Sequence, residues 1–165
     1  MKKYSLLALV FSIVFLCSCV DVFNTPPDLS VIQAKFDENK DDIELVISSA
    51  EFSQYDDLYF SEPNGEALSG LRRIPIQNTE VCEAINRLLK KGNYENINKK
   101  GEGVCLLQWS GMDIGCGIIF SDNIEKSIDD FWLTEVKPMS DDGWYYYVSN
   151  YNDWRVGRKA SVDEK

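Results

Sequence analysis

The sequence predicts an α+β domain in which two helices pack on an antiparallel meander sheet of four to five strands. Apolar residues at helical spacing are concentrated in the first part of the chain, and short aromatic or β-branched segments fill the second part. The connections between these segments are short, which favours antiparallel neighbours over parallel crossovers. We expect a single domain over residues 28–154 and a polar tail over residues 155–165.

The first helix is predicted from about residue 28 to residue 51. Pro27 suits the first turn of a helix, and Asp28 places negative charge at the positive end of the helix dipole. The polar stretch 37–42 could interrupt this helix. The apolar residues that share one helical stripe are Leu29, Ile32, Phe36, Ile43, Val46, Ile47 and Ala50.

The second helix is predicted to begin at Thr79, whose hydroxyl suits an N-cap. Lys90 and Lys91 place positive charge at the negative end of the dipole, and Gly92 suits the left-handed residue that ends many helices. The stripe expected to be buried consists of Val81, Ile85, Leu88 and Leu89.

The remaining elements are predicted to be strands. A short strand is expected over residues 55–61, closed by the Pro-Asn-Gly turn at 63–65. The stretch 66–77 is irregular, with an edge strand around Pro75, because proline is tolerated in strands mainly at edges. Four further strands are predicted over residues 103–109, 114–120, 131–137 and 144–149, with turns at 110–111, 121–123 and 141–143.

The charge balance excludes several classes of function. The 165 residues include 17 Lys and Arg, 27 Asp and Glu and no His, for a formal net charge of −10. An acidic chain is unsuited to a nucleic-acid partner, because Lys and Arg neutralise the phosphates in such complexes. The lack of His excludes Ser-His-Asp and Cys-His catalytic groups and His-ligated zinc.

The N-terminus is typical of a secretory signal. Met1-Lys2-Lys3 is followed by a mainly apolar run of eleven residues from Leu6 to Leu16. At about 1.5 Å per residue this run covers roughly half of the ~30 Å hydrocarbon core, so it is too short to span a membrane. The run ends in Leu16-Cys17-Ser18-Cys19, which resembles the lipobox of bacterial lipoproteins. A plain secretory signal that contains two cysteines is the alternative.

The resemblance implies cleavage before Cys19 and attachment of diacylglycerol to its thiol. Residues 1–18 are then the signal peptide, and residues 19–27 are a lipidated tether that holds the domain on a membrane. Two or more acyl chains give stable anchoring, whereas one is marginal. Val20 follows the modified cysteine in place of Asp. This pattern resembles lipoproteins of the outer membrane that face the periplasm, if the source is Gram-negative.

Three cysteines remain in the mature chain, Cys82, Cys105 and Cys116. We predict a disulfide between Cys105 and Cys116, since the two face each other if residues 110–111 form a two-residue hairpin loop. A shift of the turn by one residue would separate them. Pairing of Cys82 with either partner, or three buried free thiols, remains open.

Two acidic patterns in the sequence resemble functional sites. Asp37, Asn39 and Asp41 match the first ligand positions of a calcium loop, but Asp42 replaces the glycine and Ser48 the final glutamate that such a loop needs. The acidic pairs at 41–42, 56–57, 129–130 and 141–142 could in principle supply the acid and base for glycoside hydrolysis. Turn chemistry explains most of them. We therefore predict no catalytic, cofactor or metal residues.

The main candidate for function is the density of aromatic residues in the last strands. Exposed Trp and Tyr are frequent anchors of protein interfaces, and their rings also stack on sugars. We predict a partner-binding face that includes Trp132, Trp144, Tyr145 and Tyr147. A sheet that is aromatic on both sides for packing alone is the alternative.

These features favour a lipid-anchored, non-enzymatic envelope protein that binds another protein through an acidic and aromatic sheet face. In its acidity and lack of a catalytic group the chain resembles small immunity lipoproteins that neutralise toxins acting in the envelope. An accessory lipoprotein of the envelope fits the same features. The alternative function is a module that binds cell-wall glycan, or a small hydrolase that uses carboxylates.

Overall fold

The structure is a computed structural model that describes residues 25–111 and 113–161. Over these residues it forms an antiparallel sheet with helices on both faces, so the predicted α+β class is confirmed. The predicted numbers of elements are wrong, because the described residues contain eight strands and five helices. The predicted signal peptide, the lipobox with Cys19 and most of the predicted tether lie outside the described residues.

The bounds of the elements are as follows. The helices are α1 (Leu29–Ile47), α2 (Ala50–Ser53), α3 (Thr79–Lys90), α4 (Ile124–Asp130) and α5 (Tyr151–Arg155). The strands are β1 (Asp57–Phe60), β2 (Glu66–Ser69), β3 (Arg72–Pro75), β4 (Asn96–Lys100), β5 (Gly103–Ser110), β6 (Gly115–Phe120), β7 (Leu133–Pro138) and β8 (Trp144–Ser149).

The strand order across the sheet is β3-β2-β1-β4-β5-β6-β8-β7, and every neighbouring pair is antiparallel. A simple meander is therefore wrong at two places: β4 pairs with β1, and β8 lies between β6 and β7. Helix α3 carries the chain from β3 past β2 and β1 to β4, and α4 carries it from β6 past β8 to β7. The predicted turn at 121–123 leads into α4, whose start is capped by the Asn123 side chain accepting from the Lys126 amide.

Helices α1 and α3 cover the first face of the sheet. Their buried residues join the apolar residues of β1, β4, β5, β6 and β8 in one core cluster. The predicted first helix ends early, because the Ser49 hydroxyl caps α2 by accepting from the Phe52 amide. Arg87 of α3 donates to both carboxylate oxygens of Asp42 on α1, at 2.9 and 2.7 Å, and so joins the two helices.

The second helix is confirmed, with corrections at its N-cap, at its end and in its buried stripe. The left-handed residue that follows it is Asn93, with φ +56°, and not the predicted Gly92. Asn78, not Thr79, is the N-cap, and its side chain accepts from the amides of Glu80 and Val81. The buried stripe of α3 consists of Val81, Ala84, Ile85 and Leu88. Leu89, which the sequence placed in this stripe, is only partly buried.

Helix α4 covers only the half of the second face that β5 to β8 form. Helix α4 packs against residues of β5 to β8, with Ile124, Ile128 and Phe131 in a second core cluster. Strands β1 and β4 contribute Tyr59, Asn96, Asn98 and Lys100 to this face, since their alternate residues Leu58, Phe60 and Ile97 belong to the first core. No helix of the described residues contributes to a core cluster over this half.

The predicted Cys105–Cys116 disulfide is wrong. Strand β5 extends to Ser110 and β6 begins at Gly115, so the connection is longer than a two-residue hairpin loop. A register shift between Leu107 and Trp109 places Cys105 opposite Ile119 and Cys116 opposite Trp109. The two cysteines belong to different core clusters, on opposite faces of the sheet. All three cysteines within the described residues are free, and burial raises the pKa of Cys105 and that of Cys116, the latter to about 12.

Candidate binding site on the second face of the sheet

Trp144 is a core residue and does not belong to an exposed face. It is 4% exposed, and its ring lies 4.8 Å from that of Phe36 on α1 and 5.3 Å from that of Phe120 on β6. Both contacts are tilted, as aromatic pairs prefer. The prediction that Trp144 contributes to a partner-binding face is therefore wrong.

Tyr145 and Tyr147 point to the opposite face of β8 from Trp144, as strand alternation requires. Tyr147 is 3% exposed and packs in the second cluster beside Cys105 and Ile119. Tyr145 is partly buried against the same cluster. Of the two, Tyr147 reaches a cavity, and Tyr145 is not among the residues that line it.

Trp132 is the predicted residue that the structure exposes. Its side chain is 43% exposed, and its φ is +56°, in the left-handed region. Trp132 follows Phe131, the C-cap of α4, and this position favours Gly or Asn. A side chain such as Trp costs about 1–2 kcal/mol there. The backbone is held by the Asn150 amide, which donates to the Trp132 carbonyl at 3.1 Å.

Trp132 begins a row of three aromatic residues that we call the aromatic rim: Trp132, Tyr151 and Trp154. The ring of Tyr151 lies 5.0 Å from that of Trp132 and 6.2 Å from that of Trp154. Tyr151 is 49% exposed. Trp154 is oriented by its indole N–H, which donates to the Asp129 carboxylate at 3.2 Å. Hydrogen bonds from Lys159 and Trp154 hold the pKa of Asp129 below its ordinary value.

A cavity of about 200 Å³ lies where the cover of the second face ends, and we call it the second-face cavity. Its floor comes from β1, β4, β5 and β8, and its wall from the end of α4. Gly103 allows this approach, because a Cβ at Gly103 would lie 2.8 Å from the Phe131 ring. The lining residues are Tyr59, Asn96, Asn98, Lys100, Cys105, Leu107, Asp130, Phe131, Trp132, Tyr147 and Ser149.

Lys100 is held in a defined position at the wall of the cavity. Its ammonium donates to the carbonyl of Asp130, the last residue of α4, at 3.0 Å. Such a bond satisfies a carbonyl at the end of the helix. It lies 5.6 Å from the centre of the Phe131 ring and 5.3 Å from that of Trp132. These cation–π contacts place a positive charge beside the exposed indole.

Most of the polar side chains that line the cavity have no protein partner. Among the described residues, the side chains of Tyr59, Asn96, Asn98, Asp130 and Tyr147 make no hydrogen bond or ion pair. Within the part of the chain that the structure describes, the Lys100 ammonium makes one hydrogen bond, to the Asp130 carbonyl. Ser149 differs, because its hydroxyl donates to the Gly115 carbonyl at 3.3 Å. The residues that line the cavity therefore carry amide, phenol, ammonium and carboxylate groups that are available to a ligand.

Sequence patterns do not identify these lining residues. The only hint lies in β4, where Asn96, Asn98 and Lys100 lie on the opposite face from the buried Ile97. One apolar residue among four polar ones is too weak a pattern to predict a strand. Tyr59 lies directly opposite Asn98 in the neighbouring strand, and this pairing brings them together.

The acidic pairs are separated by the fold and bind different partners. Asp42 pairs with Arg87, Asp141 with Lys40, and Asp129 with Lys159. Asp130 is the one acidic residue among the described residues that line the cavity, whereas glycoside hydrolysis uses two carboxylates. Over the described parts of the chain, no three His, Cys, Asp or Glu side chains come close enough to hold a metal ion.

Comparison with protein-family models, curated proteins and solved structures finds no match to this chain. Within residues 25–111 and 113–161, each helix is too short or too polar to cross a membrane.

Proposed function

We propose that the chain is a lipid-anchored protein of the bacterial cell envelope that performs no catalysis and binds another protein through the aromatic rim and the second-face cavity. The observation that carries this proposal is the left-handed backbone of the exposed Trp132. Unfavourable backbone conformations are concentrated at functional sites, where the surrounding structure enforces them. Binding of a partner by the Trp132 ring would explain why Trp is present at this position despite its unfavourable backbone conformation.

The composition of the rim supports a protein partner. Trp and Tyr are enriched among the residues that contribute most to the free energy of protein association. The rim consists of such residues, and two of them are among the exposed large hydrophobic side chains, Trp132 and Tyr151. Rigid aromatic rings lose little conformational entropy when a partner covers them. The immunity-type and accessory lipoproteins considered above are two forms of this function.

The position of the tether supports the choice of face. The Tyr146 hydroxyl donates to the Pro27 carbonyl at 3.3 Å, and Tyr146 belongs to the first core cluster. The chain that leads to Cys19 therefore joins the domain on the first face of the sheet. The aromatic rim and the cavity are on the other face, where a tether would not obstruct a partner.

We predict that Cys19 is the site of lipid attachment. Replacement Cys19→Ala is expected to abolish incorporation of labelled palmitate and to release the protein from the membrane fraction, because no acyl chain would remain. Cys17→Ala is the matched control and is expected to retain both properties. Labelling that persists in Cys19→Ala would disprove this attachment site.

We predict that Trp132→Asn reduces recovery of the partner at least tenfold, since removal of an interface hot spot costs about 2 kcal/mol or more. The measurement is quantitative cross-linking in intact cells followed by purification of the anchored protein. Leu71→Ala, which removes a fully exposed side chain at the β2–β3 hairpin, is the control. Asn adopts left-handed backbone readily, so the free energy of unfolding is expected to stay the same or rise by about 1 kcal/mol.

Two results would contradict this proposal. One is equal recovery of the partner by the Trp132→Asn and Leu71→Ala variants. The other is retention of the protein on purified cell-wall polymer, lost in Trp132→Asn, without any recovered protein. That second result would favour the glycan-binding function.

A further inference from the structure

The charges that line the second-face cavity restrict the ligand it can accept. Lys100 and Asp130 both line the cavity, yet their charged groups form no ion pair. A carboxylate ligand would be attracted by Lys100 and repelled by Asp130, and an ammonium ligand would experience the reverse. The positive charge of Lys100 and the negative charge of Asp130 cancel, so the residues that line the cavity carry no net charge. The cavity therefore favours a neutral ligand with both a hydrogen-bond acceptor and a donor.

The side-chain amides of β4 also favour a ligand that has both a hydrogen-bond donor and a hydrogen-bond acceptor. Asn96 and Asn98 are two residues apart on one strand, so their side chains leave the same face about 6.4–6.8 Å from each other. Each amide offers a C=O acceptor and an NH₂ donor. Neither is used within the described residues. Two amides on one face can bind a complementary amide through one N–H donor and one C=O acceptor.

We propose that the second-face cavity binds a neutral carboxamide, namely the side chain of a Gln or Asn residue of the partner protein. Its C=O accepts from the Lys100 ammonium and an Asn side chain, and its NH₂ donates to the Asp130 carboxylate. The Trp132 and Phe131 rings cover the methylene groups of the inserted side chain. The cavity of about 200 Å³ accommodates a side chain of this size. The proposal rests on the proposed function only for the source of the carboxamide.

The test is a titration of the full-length chain in neutral detergent with blocked single amino acids. The probes are the N-acetyl, N-methylamide derivatives of glutamine, glutamate, lysine and leucine, which share the backbone amides and differ in the side chain. The readout is the indole N–H resonance of Trp132, identified by its loss in Trp132→Asn. We expect a saturable shift with the glutamine probe and at least fivefold weaker binding of the other three.

Variants of the lining locate the binding. Asn98→Leu, of similar volume, and Lys100→Met are each expected to weaken binding of the glutamine probe about tenfold, because each removes a donor. Lys126→Met is the matched control, since Lys126 is exposed on α4 and outside the cavity. The indole resonance of the buried Trp144 reports whether each variant is folded.

The inference is overturned if the glutamine probe produces no shift, if glutamate, lysine or leucine binds as tightly, or if folded Asn98→Leu and Lys100→Met both bind like the original chain. These results are separate from those of the cross-linking experiment. Loss of the partner in Trp132→Asn without carboxamide binding would leave the proposed function intact. Carboxamide binding without any protein partner would contradict the proposed function and would support only the inference that the second-face cavity binds a carboxamide.

Discussion

Replacement of Trp144 by Ala is expected to lower the free energy of unfolding by about 3–5 kcal/mol. Trp144 is 4% exposed and lies between the rings of Phe36 and Phe120. Its removal leaves a cavity between α1 and the sheet that the surrounding side chains can fill only in part. Both ring contacts, at 4.8 and 5.3 Å, are lost together.

The measurement is urea unfolding followed by far-ultraviolet circular dichroism, which does not depend on Trp fluorescence. Trp132→Ala is the matched control, because its side chain is 43% exposed and away from the core. We expect this control to cost under about 1 kcal/mol, since surface substitutions have small effects. Equal losses for the two variants would contradict the burial of Trp144 and its packing between α1 and β6.

Replacement of Leu88 by Ala is expected to lower the free energy of unfolding by about 2–5 kcal/mol. Leu88 is fully buried in the stripe by which α3 packs on the first face of the sheet. The substitution removes methyl and methylene groups from this core while helix propensity favours Ala slightly. The loss therefore reports tertiary packing and not helix formation.

Two substitutions calibrate this measurement. Leu88→Met keeps the volume nearly unchanged and is expected to cost less than about 1.5 kcal/mol. Leu71→Ala removes a fully exposed leucine and is expected to have almost no effect. A change within experimental error for Leu88→Ala would mean that α3 does not pack on the sheet through this stripe.

Local patterns predicted the elements that depend on local interactions. The stripe of α3 and its end at Lys90 followed from apolar spacing and charge, since each is a property of neighbouring turns of one helix. Strands β5, β6, β7 and β8 were placed within about two residues, because aromatic and β-branched segments bounded by turn residues are a strong local signal. Strand β4 lacked this signal and was missed.

The candidate site depends on residues that are distant in the sequence. Trp132 was predicted as a site residue, but its strained backbone arises at the end of α4, a helix the sequence analysis did not predict. Asn98 lies opposite Tyr59 across β1 and β4, and Lys100 donates to the Asp130 carbonyl at the end of α4. No pattern within a short segment contains these pairings.

Composition and periodicity within single elements are sufficient for the α+β class, for the acidic charge that disfavours nucleic acid and for the lack of histidine chemistry, because none of these depends on contacts between distant residues. Which aromatic side chains are buried depends on packing between elements, and it is known from the folded chain alone. A bulge of one residue in β5 and a helix inserted before β7 changed strand register and strand order. Such changes move whole side chains from one face of a sheet to the other, and they are set by packing between elements that are far apart along the chain.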